Sequence, residues 1–235
     1  MRAALIVNRS EPDPGFVGEA LDRHGYQLVP LAREDHADWP SPHGFDLVVA
    51  LGSAWSTYWP DVADPVRAEQ QFLAGAIGAG IGVLGICFGA QQLSTVLGGV
   101  VTKAQSPEIG WFSVEMTQES TEFAPFALAE GPWMQWHYDR FTVPEGAVCL
   151  ATSPVGPQAF LAGRALGLQF HPEATEAIVG GWSSGTGGDE LREAGIDRDL
   201  LMGRTRTESV GSRRRCNDIV DWFVRDVAQG HIRKP

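Results

Sequence analysis

The stretch from Gln70 to Thr102 constrains this chain more than any other, because it runs without a single charged residue. From Phe72 to Ala90 it is nearly all apolar, yet it carries Gly75, Gly78, Gly80, Gly82, Gly85 and Gly89. Each glycine costs roughly 1 kcal/mol inside a helix, and a membrane span needs about 20 strongly apolar residues with basic anchors at its ends. The segment therefore reads as buried core: a strand over Ile81–Ile86 and a helix over Ala90–Leu97 directly after it. A wholly apolar strand that passes at once into a helix is the mark of a parallel sheet covered on both faces.

The segments before it continue the pattern. Ala3–Val7 is another continuous apolar strand. Phe16, Val17, Ala20 and Leu21 give the stretch Pro14–His24 a helical spacing, and Gly25 stands where a C-cap belongs. Tyr26–Leu31 and Asp46–Ala50 are further strands. Pro65 suits the first turn of a helix that passes through Glu69, Phe72 and Leu73 until the glycines stop it. This succession predicts an α/β fold with a mostly parallel central sheet and helices on both faces. The second half differs. Val100–Val101, Trp111–Glu115, Gln135–His137, Ala147–Thr152, Gln158–Ala162 and Leu166–Phe170 are short strands between turn residues, as in a small antiparallel sheet. The Gly- and Ser-rich run Gly180–Gly188 reads as a flexible loop. The last helix places Cys216, Ile219, Val220, Phe223, Val224 and Val227 on one face. No internal repeat is present, and residues 1–235 are expected to form a single domain.

Charge and cysteine usage exclude several functions. Eighteen Lys and Arg against 29 Asp and Glu leave a net charge of −11. That balance argues against nucleic acid and against an anionic membrane surface as partners. The apolar run Ala3–Val7 is shorter than the about 7–15 residues of a secretory signal core, and no cleavage signature follows. Three cysteines without a CxxC pair suit a reducing, cytoplasmic setting and make neither a disulfide framework nor a zinc site.

Chemistry concentrates in two places. In Gly85-Ile-Cys87-Phe-Gly89 a buried strand runs into a glycine-flanked cysteine and then a helix, the pattern of a nucleophile elbow. The flanking positions must be small for the backbone to fold back. The sulfur then sits at a helix N-terminus, where the dipole and free N–H groups favour a thiolate. The N–H of Phe88 is a candidate oxyanion donor there. The plainer alternative is a buried structural cysteine. The second place is Gln169-Phe-His-Pro-Glu173, where His171 ends an apolar strand and can act as base for Cys87, with Glu173 orienting its ring.

These two motifs, Gly85–Gln92 and Gln169–Glu173, together with Pro107-Glu-Ile-Gly-Trp111, resemble the signatures of the class I (triad-type) glutamine amidotransferases, most of all stand-alone members similar to the amidotransferase domain of GMP synthase. The resemblance covers most of the chain up to about residue 175. It implies a flavodoxin-like central sheet and hydrolysis of the glutamine γ-amide through a Cys87 thioester, with His171 and Glu173 completing a triad and no metal or cofactor. The family's oxyanion loop normally reads Gly-Gly-Pro. Leu51-Gly-Ser-Ala-Trp-Ser56 keeps only its first glycine, so Gly52 and Ser53 become the expected source of the second oxyanion N–H. Gln91 matches the position that helps hold substrate glutamine. Trp136-His-Tyr-Asp139 resembles a region near the site mouth in related proteins, which leaves His137 either at the substrate or in a structural role.

The family usually hands ammonia to a synthetase. No phosphate-binding glycine loop or second α/β unit follows the amidotransferase motifs, so either a separate synthetase subunit takes the ammonia or the product goes to water. The second option corresponds to a γ-glutamyl peptidase or hydrolase using the same triad on another γ-glutamyl compound. A non-catalytic binding module that keeps the fold is the third. Trp55, Trp59 and Trp111 are either pocket lining or core and rim. Arg213–Arg215 reads as a solvated first turn of the last helix or as a partner site, and Cys149 and Cys216 as inert. The segment 180–211 is expected to form a lid or a partner surface.

Overall fold

Ala3 to Val7 are all buried along the first strand, which only a strand covered on both faces permits. In the computed structural model, which describes residues 1–122 and 131–231, the elements are β1 (Arg2–Val7), α1 (Gly15–Arg23), β2 (Gln27–Ala32), β3 (Leu47–Ala50), α2 (Ala63–Gly78), β4 (Gly82–Ile86), α3 (Phe88–Val96), β5 (Val101–Ser113), β6 (Glu115–Met116), β7 (Pro132–Phe141), β8 (Val148–Ser153), β9 (Gly156–Ala162), β10 (Ala165–Leu168), α4 (Glu176–Trp182), α5 (Thr186–Glu193) and α6 (Arg198–Trp222), with a π-helical turn Phe223–Val227 continuing α6. The main sheet has the order β2-β1-β3-β4-β10-β9-β8-β6. Strands β2, β1, β3, β4 and β10 are parallel, and β9, β8 and β6 extend the sheet antiparallel. A parallel order of this 2-1-3-4-5 kind is the flavodoxin-like one.

Alternation along the strands sorts the core into two layers. Leu5, Val7, Val49, Leu84 and Leu166 pack against α1 and the C-terminal half of α6. Ala4, Ile6, Val48, Val83 and Ala165 pack against α2 and α3. A third cluster, with Ile109, Trp111, Met134, Val179, Leu191 and Leu201, joins the two-stranded antiparallel sheet β5–β7 to α4, α5 and the start of α6. Among the described residues no helix is long and apolar enough to cross a membrane.

The structure corrects four expectations. Val100–Val101 and Trp111–Glu115 are not two short strands: the single strand β5 runs from Val101 to Ser113, with a register shift between Lys103 and Glu108 absorbing its polar middle, and Glu115 belongs to β6 in the main sheet. The strand expected at Leu166–Phe170 is not merely half of a hairpin. β10 is antiparallel to β9 but parallel to β4, a neighbour distant in sequence. Gly180–Gly188 is not one flexible loop but lies in α4 and α5, with a turn over Ser183–Gly185 between them. Thr175 caps α4 by accepting from the Ile178 N–H at 3.2 Å, and Leu191 is buried on α5, so capping and packing outweigh the glycine penalty. Helix α2 passes Gly75, because its buried face outlasts the first glycine, and the glycines stop it as expected, at Gly78 just before the left-handed Gly80. The last helix begins at Arg198, where Asp197 accepts from the N–H groups of Asp199 and Leu200. Arg213–Arg215 are therefore in its middle. Arg215 is buried, its guanidinium 4.9 Å from the centre of the Trp133 ring, and donates to the Pro132 carbonyl at 2.6 Å.

Candidate active site

In open parallel sheets the carboxyl ends of the strands are where ligands bind, and here three such ends converge. β3 leads into Leu51–Gly52, β4 into Cys87, and β10, in register beside β4, leads towards His171. The Cys87 N–H donates to the Leu168 carbonyl at 2.7 Å, which ties the elbow to β10. The His171 N–H donates to Met134 O at 2.8 Å, which anchors the far side of its loop to β7.

Cys87 has φ 50° and ψ −107° and is the only non-glycine with positive φ among the described residues. Such a conformation is held against its own strain by the packing around it. The two flanking glycines show how. A Cβ at position 85 would lie 2.6 Å from the Gly89 carbonyl oxygen, and one at position 89 would lie 2.1 Å from that of Ala50. Phe88 is the first residue of α3, so its N–H has no partner within the helix.

His171 and Glu173 are both buried, and His171 Nδ1 lies 2.7 Å from Glu173 Oε1. The remaining ring nitrogen, Nε2, is buried without a hydrogen-bonded nitrogen or oxygen among the described residues. Burial disfavours the imidazolium, but the charges of Glu173 and Cys87, and hydrogen bonds to both, outweigh it. His171 is held well above the ordinary histidine range. Burial holds the Glu11 carboxyl above the usual carboxylate range, although His171 and Arg33 both pull it down. Burial also raises the other two thiols, Cys149 and, much further, Cys216.

The remaining expected residues are distributed unevenly. A Cβ at Gly52 would stand 2.9 Å from His171 Cε1 and 3.6 Å from Cys87 Cβ, so this backbone passes directly over the pair. The Ser53 hydroxyl accepts from the Trp55 N–H at 3.1 Å, within its own loop. Gln91 is buried and its amide nitrogen donates to Gln169 Oε1 at 3.4 Å. His137 sits in a buried polar network: Nδ1 lies 3.0 Å from Asp139 O and Nε2 lies 3.1 Å from Glu108 Oε2. The Cys87 sulfur is 3.9 Å from the backbone carbonyl of the preceding residue, Trp136. Trp111 is core, its indole N–H donating to Thr205 Oγ1 at 2.9 Å. Trp55 meets Phe88 edge-on with ring centres 6.5 Å apart, and Trp59 is exposed.

Residues 60–180 match the model of the family described as glutamine amidotransferase class-I. The chain belongs to that family. This amidotransferase is 39% identical to a GMP synthase [glutamine-hydrolyzing] of Helicobacter pylori over 66% of its own length and 29% of that protein's. It is 35% identical to the Thermomicrobium roseum GMP synthase over 68% of its own length and 29% of the relative's. The chain thus spans under a third of these curated relatives. Among solved structures, a glutamine amidotransferase from Thermotoga maritima superposes with a TM-score of 0.85 at 28% identity, covering 96% of this chain and 98% of that one. A glutamine amidotransferase from Methylobacillus flagellatus has the same fold, with a TM-score of 0.77 at 22% identity and coverage of 99% and 96%.

Two groups in the amidotransferase site escaped the sequence reading. Trp182 on α4 meets the His171 ring edge-on, ring centres 4.6 Å apart. Trp136 stands beside Trp182, and its indole N–H donates to Glu190 at 2.9 Å. Tyr138 donates to the same carboxylate oxygen, and its hydroxyl pKa is pushed up to about 12 by burial and by that charge. The second group is Arg33 with Glu69, both fully buried. Glu69 falls on the otherwise apolar face Val66, Glu69, Phe72, Leu73 and Ala76 of α2, and a charge on such a face signals a buried partner.

Proposed function

We propose that this chain hydrolyses the γ-amide of glutamine through a covalent intermediate on Cys87, releasing glutamate and ammonia. The Cys87 sulfur attacks the γ-carbonyl carbon, and the N–H groups of Phe88 and the Gly52–Ser53 loop hold the resulting oxyanion. His171 takes the thiol proton and passes it to the leaving amine, so the C–N bond breaks as ammonia departs and a γ-glutamyl thioester forms. Water then attacks the thioester carbonyl. His171 takes its proton and returns it to sulfur as glutamate leaves. Glu173 holds the imidazole in one tautomer throughout. Gln91 contacts the substrate glutamine, and His137 serves the walls of the site through its polar network.

The observation that carries this reading is the strained elbow that sets Cys87 under Gly52 beside a buried His171–Glu173 pair. The family match supports the substrate. In keeping with the relatives described as GMP synthases, the ammonia passes to a synthetase.

Purified protein given free glutamine is expected to release ammonia and glutamate in equal amounts, and Cys87→Ala to release neither. A diazo-ketone analogue of glutamine is expected to label Cys87. Amine release from γ-glutamyl peptides with free glutamine untouched would replace glutaminase by γ-glutamyl hydrolase. An unlabelled Cys87 would leave a binding module.

A further inference from the structure

We infer that Arg33 is a positioning residue that aims the backbone N–H groups of the Gly52–Ser53 loop at the Cys87 side of the site; this rests on the proposed acylation of Cys87. A guanidinium has five N–H hydrogens in a rigid planar fork, and Arg33 places all five. Nε donates to Glu69 Oε2 at 2.7 Å, and Nη2 to Glu69 Oε1 at 3.1 Å and to the Leu51 carbonyl at 2.8 Å. Nη1 donates to Asn8 Oδ1 at 2.9 Å and to the Gly52 carbonyl at 3.1 Å.

The two carbonyls are the telling partners. In a planar trans peptide the C=O and the following N–H point in opposite directions. The Leu51 carbonyl shares its peptide with the Gly52 N–H, and the Gly52 carbonyl with the Ser53 N–H. Drawing both oxygens onto Arg33 therefore turns both N–H groups away from it. Arg33 also packs on the side chain of the residue that carries the other oxyanion donor, its guanidinium carbon 4.9 Å from the centre of the Phe88 ring. One buried cation thus grips the loop after β3 and the first residue after the elbow. The proline of the family's Gly-Gly-Pro fixes one φ and so stiffens such a loop locally. In Leu51-Gly-Ser-Ala-Trp-Ser56 that proline is absent, and a clamp from behind supplies the missing constraint. A buried ion pair is weak as a source of stability, which leaves geometry as its use. Lysine, a point charge with three donors, cannot serve two carbonyls and a bidentate carboxylate together.

The test compares two reactions of the same sulfur. Acylation by p-nitrophenyl acetate passes through an oxyanion, whereas alkylation by iodoacetamide displaces iodide and forms none. In Arg33→Lys, acylation is expected to fall by about 100- to 1,000-fold, the range for a lost oxyanion donor, with alkylation unchanged. The double variant Arg33→Met with Glu69→Leu removes both charges together and leaves none buried unpaired; the same split is expected there. Equal losses in both reactions, or no loss of acylation, would overturn the role assigned to Arg33. An unaltered protein whose Cys87 takes neither reagent would overturn the nucleophile reading itself.

Discussion

Cys87, His171 and Glu173 form a coupled set whose protonation is open to a direct check. Because Glu173 helps raise His171 well above the ordinary histidine range, the imidazolium we propose as the acid that protonates the leaving amine persists to higher pH than a free histidine would. The alkaline limb of the kcat/KM profile is thus expected above about pH 6.5. Glu173→Gln removes a raising influence, so that limb moves to lower pH, and kcat falls by about 10²- to 10⁴-fold through loss of tautomer control. A pH–rate series on both proteins measures each effect, and an unmoved limb would detach Glu173 from His171. These three residues were legible in sequence because each sits in a short motif with its own backbone demand. Arg33 was not, since its acceptors Asn8, Leu51–Gly52 and Glu69 lie on three separate segments.

At the scale of elements, the elbow depends on contacts between backbones. Gly89→Ala would press a methyl group onto the Ala50 carbonyl, and since neither strand nor helix can yield cheaply, a loss of about 1–3 kcal/mol is expected. It would be read as a lower denaturant midpoint at unchanged slope. Turnover should fall as well, because Ala50 leads into the Leu51–Gly52 loop. The helices α4 and α5 add a second dependence. An edge-on aromatic contact is worth about 0.5–1.5 kcal/mol, so Trp182→Ala, which frees one side of His171, is expected to lower kcat by about two- to tenfold. Steady-state kinetics against glutamine would decide it. These helices were hidden in the sequence by their glycines. What orders them is burial against β5 and β7, which local propensity does not register.

Across the whole molecule, α6 ties the parts together, packing at its start on the small sheet and at its end on the main core. Its triple arginine separates three environments. Arg213 is exposed and pairs with Glu19 at 2.7 Å, Arg214 is exposed, and Arg215 is buried over Trp133. Arg215→Ala forfeits a desolvated cation–π contact and a charged hydrogen bond, an expected loss of about 2–4 kcal/mol. Arg214→Ala is expected within about 0.5 kcal/mol of the parent. Chemical denaturation of the two variants separates the sites. The sequence by itself determined the parallel β/α succession, the elbow and the motif around His171, because buried strands, glycine-dependent turns and strand-end residues leave local signatures. Only the tertiary structure decided that β10 lies beside β4, that α4 sets Trp182 against His171, and that Arg33 reaches the loop after β3. Those are contacts between segments far apart along the chain, and their energy resides in packing that no single segment carries.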